Sequence, residues 1–495
     1  MNIELQVIGS ALRAVAGEMG AVLVRSAFSA NIKERRDCST ALFAADGRMI
    51  AQAEHIPVHL GAMPEAVAAV RAHDPGPEDI YILNDPYTGG THLPDITLVS
   101  RTALGFAVTR AHHADVGGIE PGSMPADSRT LAEEGVVIPP TRLDEAVLAE
   151  LVSRMRNADE RRGDLRAQLA AHRLAERRVD ELTTRFGRER VIAAMDELYA
   201  YSERRVRAAL KRLPQGRYEA SDFLETAEGE LEIHAAVTLR GENVEIDFAG
   251  TALQHPGNLN CPLTVTRSAA YFVVRCLTDP DVPASGGAFA PVSVTAPDGC
   301  LVNARPPAAV AAGNVETSCR IVDVLFAAFG AAVPVPAQGQ GTMNNLTFGN
   351  ERFTYYETIG GGQGACPQAA GPSAVHVTMS NTLNTPVEAL ELAYPLRVRR
   401  YGLRRGSGGA GRFTGGEGVV RELQALEPCR LSIVSERRGR SPAGMRGGGS
   451  GAPGRNLLNG DELPAKITLD LAAGDAVTIE TPGGGGFGGK EEGDG

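Results

Sequence analysis

The sequence lacks any paired-cysteine motif. Its seven cysteines (Cys38, Cys261, Cys276, Cys300, Cys319, Cys366 and Cys429) are odd in number and scattered, with no C-x-x-C pair. That excludes a zinc ribbon or a dithiol redox motif and predicts free thiols in a reducing cytoplasm. Positive charge is also short: 49 Lys and Arg face 60 Asp and Glu, a formal net charge of -11. A global basic footprint for nucleic acid is therefore missing, and the local basic clusters at 154–212 and 397–405 are interleaved as on solvated faces. No stretch reads as a membrane span. Residues 1–30 place Leu5, Ile8, Leu12, Val15, Met19, Val22 and Leu23 at helical spacing, interrupted by Glu4, Arg13, Glu18 and Arg25. This predicts an amphipathic core helix, since a signal peptide carries its charge first and then an unbroken apolar run.

Several catalytic signatures are absent too. There is no internal repeat of fixed period and no G-x-S-x-G nucleophile elbow. The tail GGGGFGGK fits G-x-x-x-x-G-K at Gly484, Gly489 and Lys490, but Glu491 stands where Ser or Thr would bind magnesium and no helix follows. The run GSGGAGRFTGG lacks a βαβ setting. No nucleotide site is visible, and Cys366 has no neighbouring base to make it a nucleophile.

What is present is an ordinary folded composition, 43% hydrophobic and 22% charged, enriched in glycine (58) and proline (30), which predicts many turns and close backbone approaches. The length predicts several lobes. STALFAADGRMIAQ reads as a hairpin turning at Asp46-Gly47, and Met63 to His73 as a helix starting near Pro64. DIYILND, DITLVSRTA and GFAVTRAHHADVGG read as strands. Residues 143–215 are rich in Ala, Leu, Arg and Glu and predict two or three long helices. Strands resume at 233–239 and 244–248, then the helix-like SAAYFVVRCL; HVTMSNTL and RLSIVSER read as further strands. The expected fold is α+β, multi-lobed, β-rich in its N- and C-terminal parts with a helical middle. The expected divisions are an N-terminal lobe at 1–142, a helical segment at 143–215, a central lobe at 216–374, a β-rich lobe at 375–488 and a flexible tail at 489–495.

Among the ten histidines, His55, His59, His92, His112 and His113 fall within the first quarter of the chain, with Asp37, Asp85, Asp95 and Asp115 near them. THLPD sets His92 and Asp95 in a loop between two strands, where Pro94 restricts the backbone. In RAHHADVGG the alternation of a strand puts His113 and Asp115 on one face and His112 and Ala114 on the other, and the His113 face is the richer. Two histidines with one or two carboxylates suit Zn²⁺, Mn²⁺ or Fe²⁺ and leave open positions for water or substrate.

Taken together, SANIKERRDCSTALFAADGRMIAQAEHIPVHLGAMPEAV, NDPYTGGTHLPDITLVS, RAHHADVGGIEPGSMP, GDLRAQLAA, HPGNLNCPL, NVETSCRIVD, ETIGGGQGA, TMSNTLNTPVEALELAYPLRVRRYGLRRGSGGAGRFTGGEG and ETPGGGGFG resemble the hydantoinase B/oxoprolinase family from about residue 2 to residue 488. The resemblance implies one half of an ATP-dependent system. An A-type ATPase subunit phosphorylates the carbonyl oxygen of a cyclic amide, and the B-type chain hydrolyses the activated ring with a metal-bound water. ATP would be used by the partner and not bound by this chain. The family's metal site maps to His92, Asp95 and His113, with His112 as the competing choice. Asp37 of ERRDCS would be a further ligand or the base, Asp115 a catalytic carboxylate, and His55, His59 and Glu120 supporting or substrate-facing groups. The glycines at 360–364 are candidates for backbone contacts to substrate or phosphate. His172 stands where the family pattern favours a small polar residue, without touching the ligand set.

The expected substrate is a hydantoin, 5-oxoproline or lactam, and the expected assembly is a cytoplasmic heterotetramer with two copies of each subunit, free of nucleic acid and membrane. Two other readings accompany this one: the corresponding subunit of an ATP-dependent acetone- or acetophenone-type carboxylase, and a non-catalytic scaffold for an ATPase partner.

Overall fold

The computed structural model of the chain describes residues 3–54 and 56–489. His55 and the expected flexible tail beyond Gly489 lie outside the described residues.

The N-terminal sheet positions the histidines. Its strands are β1 (Cys38–Ala44), β2 (Met49–Glu54), β3 (Ile80–Leu83), β4 (Asp95–Thr102), β5 (Gly105–His112) and β6 (Thr141–Arg142), in the order β2-β1-β5-β4-β3-β6 with antiparallel neighbours. The Asp46-Gly47 hairpin and the helix Met63–Arg71 form where the sequence predicts them, Gly47 taking the positive φ its turn requires. Every residue of β1 and β5 is buried because the sheet is covered on both faces. Leu42, Ala44, Ala107 and Ala111 pack with the helices Ile3–Ser26 and Ala158–Phe186, while Ala41, Phe43, Phe106 and Val108 pack into a second core with the helices Met63–Arg71 and Leu263–Leu277. Alternate residues thus serve two cores, as the two-residue period of a strand dictates.

The helix Ile3–Ser26 is, contrary to the sequence reading, long and apolar enough by length and composition to cross a membrane. In this fold Leu5, Ile8, Leu12, Val15, Met19 and Leu23 form its buried stripe against the N-terminal sheet and the helix Ala158–Phe186. The helical segment comprises Glu145–Ser153, Ala158–Phe186 and Arg188–Leu210.

A second sheet holds β7 (Gly216–Thr226), β8 (Gly229–Arg240), β9 (Asn243–Asp247) and β10 (Val292–Thr295), in the order β10-β9-β8-β7. The helices Leu263–Leu277 and Ser318–Gly330 share its core. The remaining strands are β11 (Asn345–Gly349), β12 (Thr354–Glu357), β13 (Leu396–Arg404), β14 (Gly418–Ala425), β15 (Cys429–Val434), β16 (Arg455–Leu458), β17 (Asp461–Leu463), β18 (Lys466–Leu471) and β19 (Ala476–Glu480). They form two sheets, β12-β11-β15-β18 and β13-β14-β19-β16-β17, over one core. The first runs across the division expected at 374/375, since β11 pairs with β15 from far along the chain.

HVTMSNTL forms no strand. Thr378 sits at φ 53, and this left-handed turn breaks the extended run that its alternation predicts. Much of the glycine enrichment is spent in the C-terminal lobe on backbone-to-backbone packing. A Cβ at Gly362 would lie 2.2 Å from the Gly484 nitrogen, and one at Gly415 would lie 1.9 Å from the Gly484 oxygen. Only hydrogen fits there.

Candidate metal centre

Three strand ends bring the chemistry together. Asp95 opens β4 and pairs directly with His112, which closes β5. The β1–β5 register, Cys38 opposite Ala111, continues one step further so that the His112 N–H donates to the Asp37 carbonyl at 3.0 Å. Asp37, His112 and Asp95 therefore form a row across three adjacent strands. Laterally paired residues of antiparallel strands project to one face, so the row converges on one side of the sheet.

His92 joins from the preceding loop. The Asp95 N–H donates to the His92 carbonyl (3.1 Å) across Leu93-Pro94, and this tight turn folds the imidazole back so that Nε2 lies 3.1 Å from Asp95 Oδ1. Asn84 fixes the loop by donating from Nδ2 to the carbonyls of Leu93 (2.8 Å) and Val136 (2.9 Å). Thr91 donates its hydroxyl to Asp95 Oδ2 at 2.6 Å, and His59 Nε2 stands 3.5 Å from the same oxygen while its Nδ1 meets Ser39 Oγ at 2.9 Å. Asp95 is thus gripped from several sides.

The electrostatics follow from burial. Burial pushes the Asp95 carboxyl up, but His92, His112 and His59 together outweigh it and hold the group well below the usual carboxylate range. Asp37, also buried, is pushed up to about 6 by desolvation, with His112 pulling the other way. Burial lowers the His59 imidazole despite the Asp95 carboxylate beside it.

His92 Nε2, His112 Nδ1 and Asp95 Oδ1 stand at the corners of a nearly equilateral triangle, with sides of 3.1, 3.2 and 3.3 Å. Two imidazole nitrogens and a carboxylate oxygen are a donor set for a divalent transition ion. Bonds of about 2.0–2.1 Å to a tetrahedral ion put neighbouring donors about 3.3 Å apart, and octahedral bonds about 3.0 Å, so the observed spacing fits such an ion without rearrangement. The far ring nitrogens, His92 Nδ1 and His112 Nε2, have no described hydrogen-bond partner, so both rings direct their polar contacts to the triangle. The adjoining cavity measures about 20 Å³ and is also bounded by Asp37, His59, Asn314, Tyr356 and Thr382. That is room for about one water. The Tyr356 ring stacks on His112 at 4.6 Å, fixing the imidazole plane.

The structure corrects the choice between the paired histidines. His113 points to the opposite side of the sheet, where Nε2 meets Gln168 Oε1 at 3.0 Å and burial lowers its pKa to about 4. Side-chain richness favoured His113, but strand register decides the matter, because only His112 is paired with Asp95. Asp115 is also elsewhere: its carboxylate accepts from the Gly117 and Gly122 N–H groups and pairs with Arg156, a turn-building role. Glu120 forms an ion pair with Arg430. His172 is a core residue between Ser100 and Thr109 hydroxyls. Gly360, Gly362 and Gly364 pack against other backbone segments, and Gly361 packs against the Gln340 side chain.

Asn314, Tyr356, Thr358, Ser380 and Thr382 also line the pocket and were singled out by no spacing in the sequence. They lie more than 200 residues beyond the histidines, and all but Tyr356 fall in blocks that carry the family resemblance. Asn314 and Val315 reach the pocket from a π-helical turn, Gly313–Thr317, a feature that commonly accompanies functional sites.

The hydantoinase B/oxoprolinase family profile matches residues 1–490. The chain belongs to this family. An uncharacterized protein of Methanocaldococcus jannaschii is 39% identical to it, over 99% of this chain and 91% of that protein. A 5-oxoprolinase of Arabidopsis thaliana is 38% identical over 98% of this chain, which spans only 42% of that longer relative. The crystal structure of an ATP-dependent caprolactamase from Pseudomonas jessenii superposes with a TM-score of 0.92 at 28% identity, covering 98% of this chain and 91% of the other. The mixed helix-and-sheet fold of the hydantoinase B/oxoprolinase chain is thus shared with that caprolactamase.

Proposed function

We propose that this chain is the hydrolytic B component of an ATP-dependent cyclic amide hydrolase, opening a lactam, hydantoin or oxoproline ring that an ATPase partner has activated. The observation that carries the reading is the His92–Asp95–His112 triangle, spaced for one divalent transition ion inside a buried pocket. The full length of the Arabidopsis 5-oxoprolinase, of which this chain spans 42%, supports a second component carrying the ATP chemistry.

His92, Asp95 and His112 would hold the ion. When bound, it would supply a Lewis acid that polarises an oxygen and acidifies water near neutral pH. The rest falls to the protein. Asp37, in the same strand row, is placed to accept a proton from water at its carboxylate, and burial has already raised its affinity for one. Thr91 and His59 keep the Asp95 carboxylate oriented. The small cavity is lined by buried residues, so a water held there is shielded from bulk solvent.

The test is reconstitution with an A-type ATPase subunit, Mg-ATP and a panel of cyclic amides. Ring-opened product without incorporation of labelled bicarbonate is expected. Incorporation of label would transfer the chain to the carboxylase reading, and neither product with a competent partner would leave the scaffold reading.

A further inference from the structure

The metal pocket has room for about one water, and Thr358, Ser380 and Thr382 stand in its wall. A larger cavity of about 590 Å³ adjoins it, with Ser380 in the wall of both. The larger cavity reaches solvent, since the exposed Gln368 and Asn381 line it. Of these two cavities His376 lines only the large one, and Thr358 and Thr382 only the small one.

A continuous row of hydrogen bonds joins them. Thr358 Oγ1 and Thr382 Oγ1 are 2.8 Å apart, Thr382 Oγ1 is 3.2 Å from His376 Nε2, and His376 Nδ1 is 2.7 Å from Ser380 Oγ. The Ser380 N–H donates to the Val377 carbonyl at 3.2 Å, and this turn brings the Ser380 hydroxyl against His376. Arg35 is buried behind the row, where its Nη2 donates to Thr358 Oγ1 at 2.6 Å and to Thr382 Oγ1 at 3.0 Å. A guanidinium stays charged and never accepts, so both threonine oxygens are held as acceptors and their own hydrogens must go along the row or into the pocket. Burial lowers the His376 pKa to about 3, so the ring is neutral and carries a hydrogen on one nitrogen at a time.

Under those constraints the complete row has two polarities. In one, Thr358 donates to Thr382, Thr382 donates to Nε2, and Nδ1–H donates to Ser380. That leaves an open lone pair on Thr358 Oγ1 and a free hydroxyl hydrogen on Ser380. In the other, Ser380 donates to Nδ1, Nε2–H donates to Thr382, and Thr382 donates to Thr358, whose hydrogen is then free for the metal pocket. Passage of one proton from end to end converts the first pattern into the second.

We infer that Thr358, Thr382, His376 and Ser380 form a proton relay between the metal pocket and the solvent-reaching cavity. The inference rests on the proposed ring opening and says how its protons travel. A pocket water gives up a proton as it attacks the activated carbon, directly or by way of Asp37, and Thr358 Oγ1 takes that proton up. Thr358 hands its own proton to Thr382, Thr382 protonates Nε2, Nδ1 protonates Ser380, and the Ser380 hydroxyl hydrogen passes to a water of the large cavity. Each O–H or N–H bond broken along the row is replaced by one formed. The reverse shift brings a proton in for the ring nitrogen as its bond to carbon breaks, and it restores the first polarity.

Two measurements on the full chain test the relay, and the first needs no turnover. Nitrogen-15 NMR of histidine-labelled protein, with the His376 signals assigned by their loss in His376→Gln, reads which ring nitrogen carries the hydrogen. Thr382→Val removes the partner of Nε2 and is expected to move the hydrogen to Nδ1. Ser380→Ala removes the partner of Nδ1 and is expected to move it to Nε2, with the natural chain between the two. A charged ring at neutral pH, or one tautomer shared by all three proteins, overturns the relay.

The second measurement is turnover by the reconstituted pair. His376→Gly is expected to lose about 10²-fold with metal content unchanged. Imidazole entering through the open cavity is expected to restore turnover, measured against the natural chain at the same concentration. 1-Methylimidazole fills the same space with one nitrogen blocked and is expected to restore none. Undiminished turnover, equal rescue by both compounds or rescue by neither overturns the relay. Absence of ring opening by the natural chain with a competent partner counts against the functional reading instead, and the tautomer result then decides the relay by itself.

Discussion

Asp95 and His112 face each other across the β4–β5 ladder, with Asp95 Oδ1 3.3 Å from His112 Nδ1. Because directly paired residues share a face, this single register relation decides which of two adjacent histidines stands beside Asp95. It also makes the assignment easy to test.

His112→Ala should lose the metal and His113→Ala should keep it. About one equivalent of a divalent transition ion is expected in the natural chain and in His113→Ala, and less than about a tenth in His112→Ala, because loss of one of three ligands removes most of the affinity. Elemental analysis after gentle purification measures this directly. Metal retained in His112→Ala and lost in His113→Ala would reverse the assignment.

Asp37→Asn separates a base from a ligand. Asp37 lines the pocket but stands outside the tight donor triangle. Ring opening by the reconstituted pair is expected to fall by about 10²–10⁴-fold with metal content unchanged, the size of effect expected for a lost general base. Metal loss in this variant would make Asp37 a ligand instead.

Glu134 predicts a pH-dependent stability. Its buried carboxylate accepts from Ser128 and from the Val310 and Ala311 N–H groups, just ahead of the turn that carries Asn314. Burial nevertheless raises its pKa from 4.5 to about 7, the hydrogen bonds pulling the other way. A group raised in the folded state contributes stability that is complete below its unfolded pKa and is lost as pH rises through the folded one. Between pH 5 and 8 the natural chain should therefore lose stability relative to Glu134→Gln, by a total on the order of 3 kcal/mol. Thermal melts of both proteins across that range check the sign, and parallel curves would refute it.

Gly313→Ala should disturb the pocket from behind. A Cβ at Gly313 would lie 1.8 Å from the Asn260 carbonyl oxygen, so the π-helical turn bearing Asn314 and Val315 must move. Overpacking of this kind costs roughly 1–3 kcal/mol. A lower thermal midpoint together with weaker zinc binding by titration is expected. An unchanged zinc affinity would separate the turn from the site.

Much of this protein was legible in its sequence for local reasons. The Asp46-Gly47 hairpin, the helix beginning beside Pro64 and the long helices of the middle segment follow from turn chemistry and from 3.6-residue periodicity, which a window of a dozen residues carries. His92 and Asp95 were legible together because a tight turn of four residues joins them. HVTMSNTL was misread because alternation alone does not register a left-handed turn at Thr378. The expected division at 374/375 cut through a sheet because strand pairing between residues near 345 and 430 leaves no local trace.

The sequence by itself determined most of the elements, the family and most of the candidate donor atoms. Tertiary structure alone chose His112 over His113, drew Asn314, Tyr356 and Thr382 to the pocket, and set a larger cavity beside it. The physical reason is that periodicity gives a residue its face but never says what that face meets; only register and packing across hundreds of residues decide that.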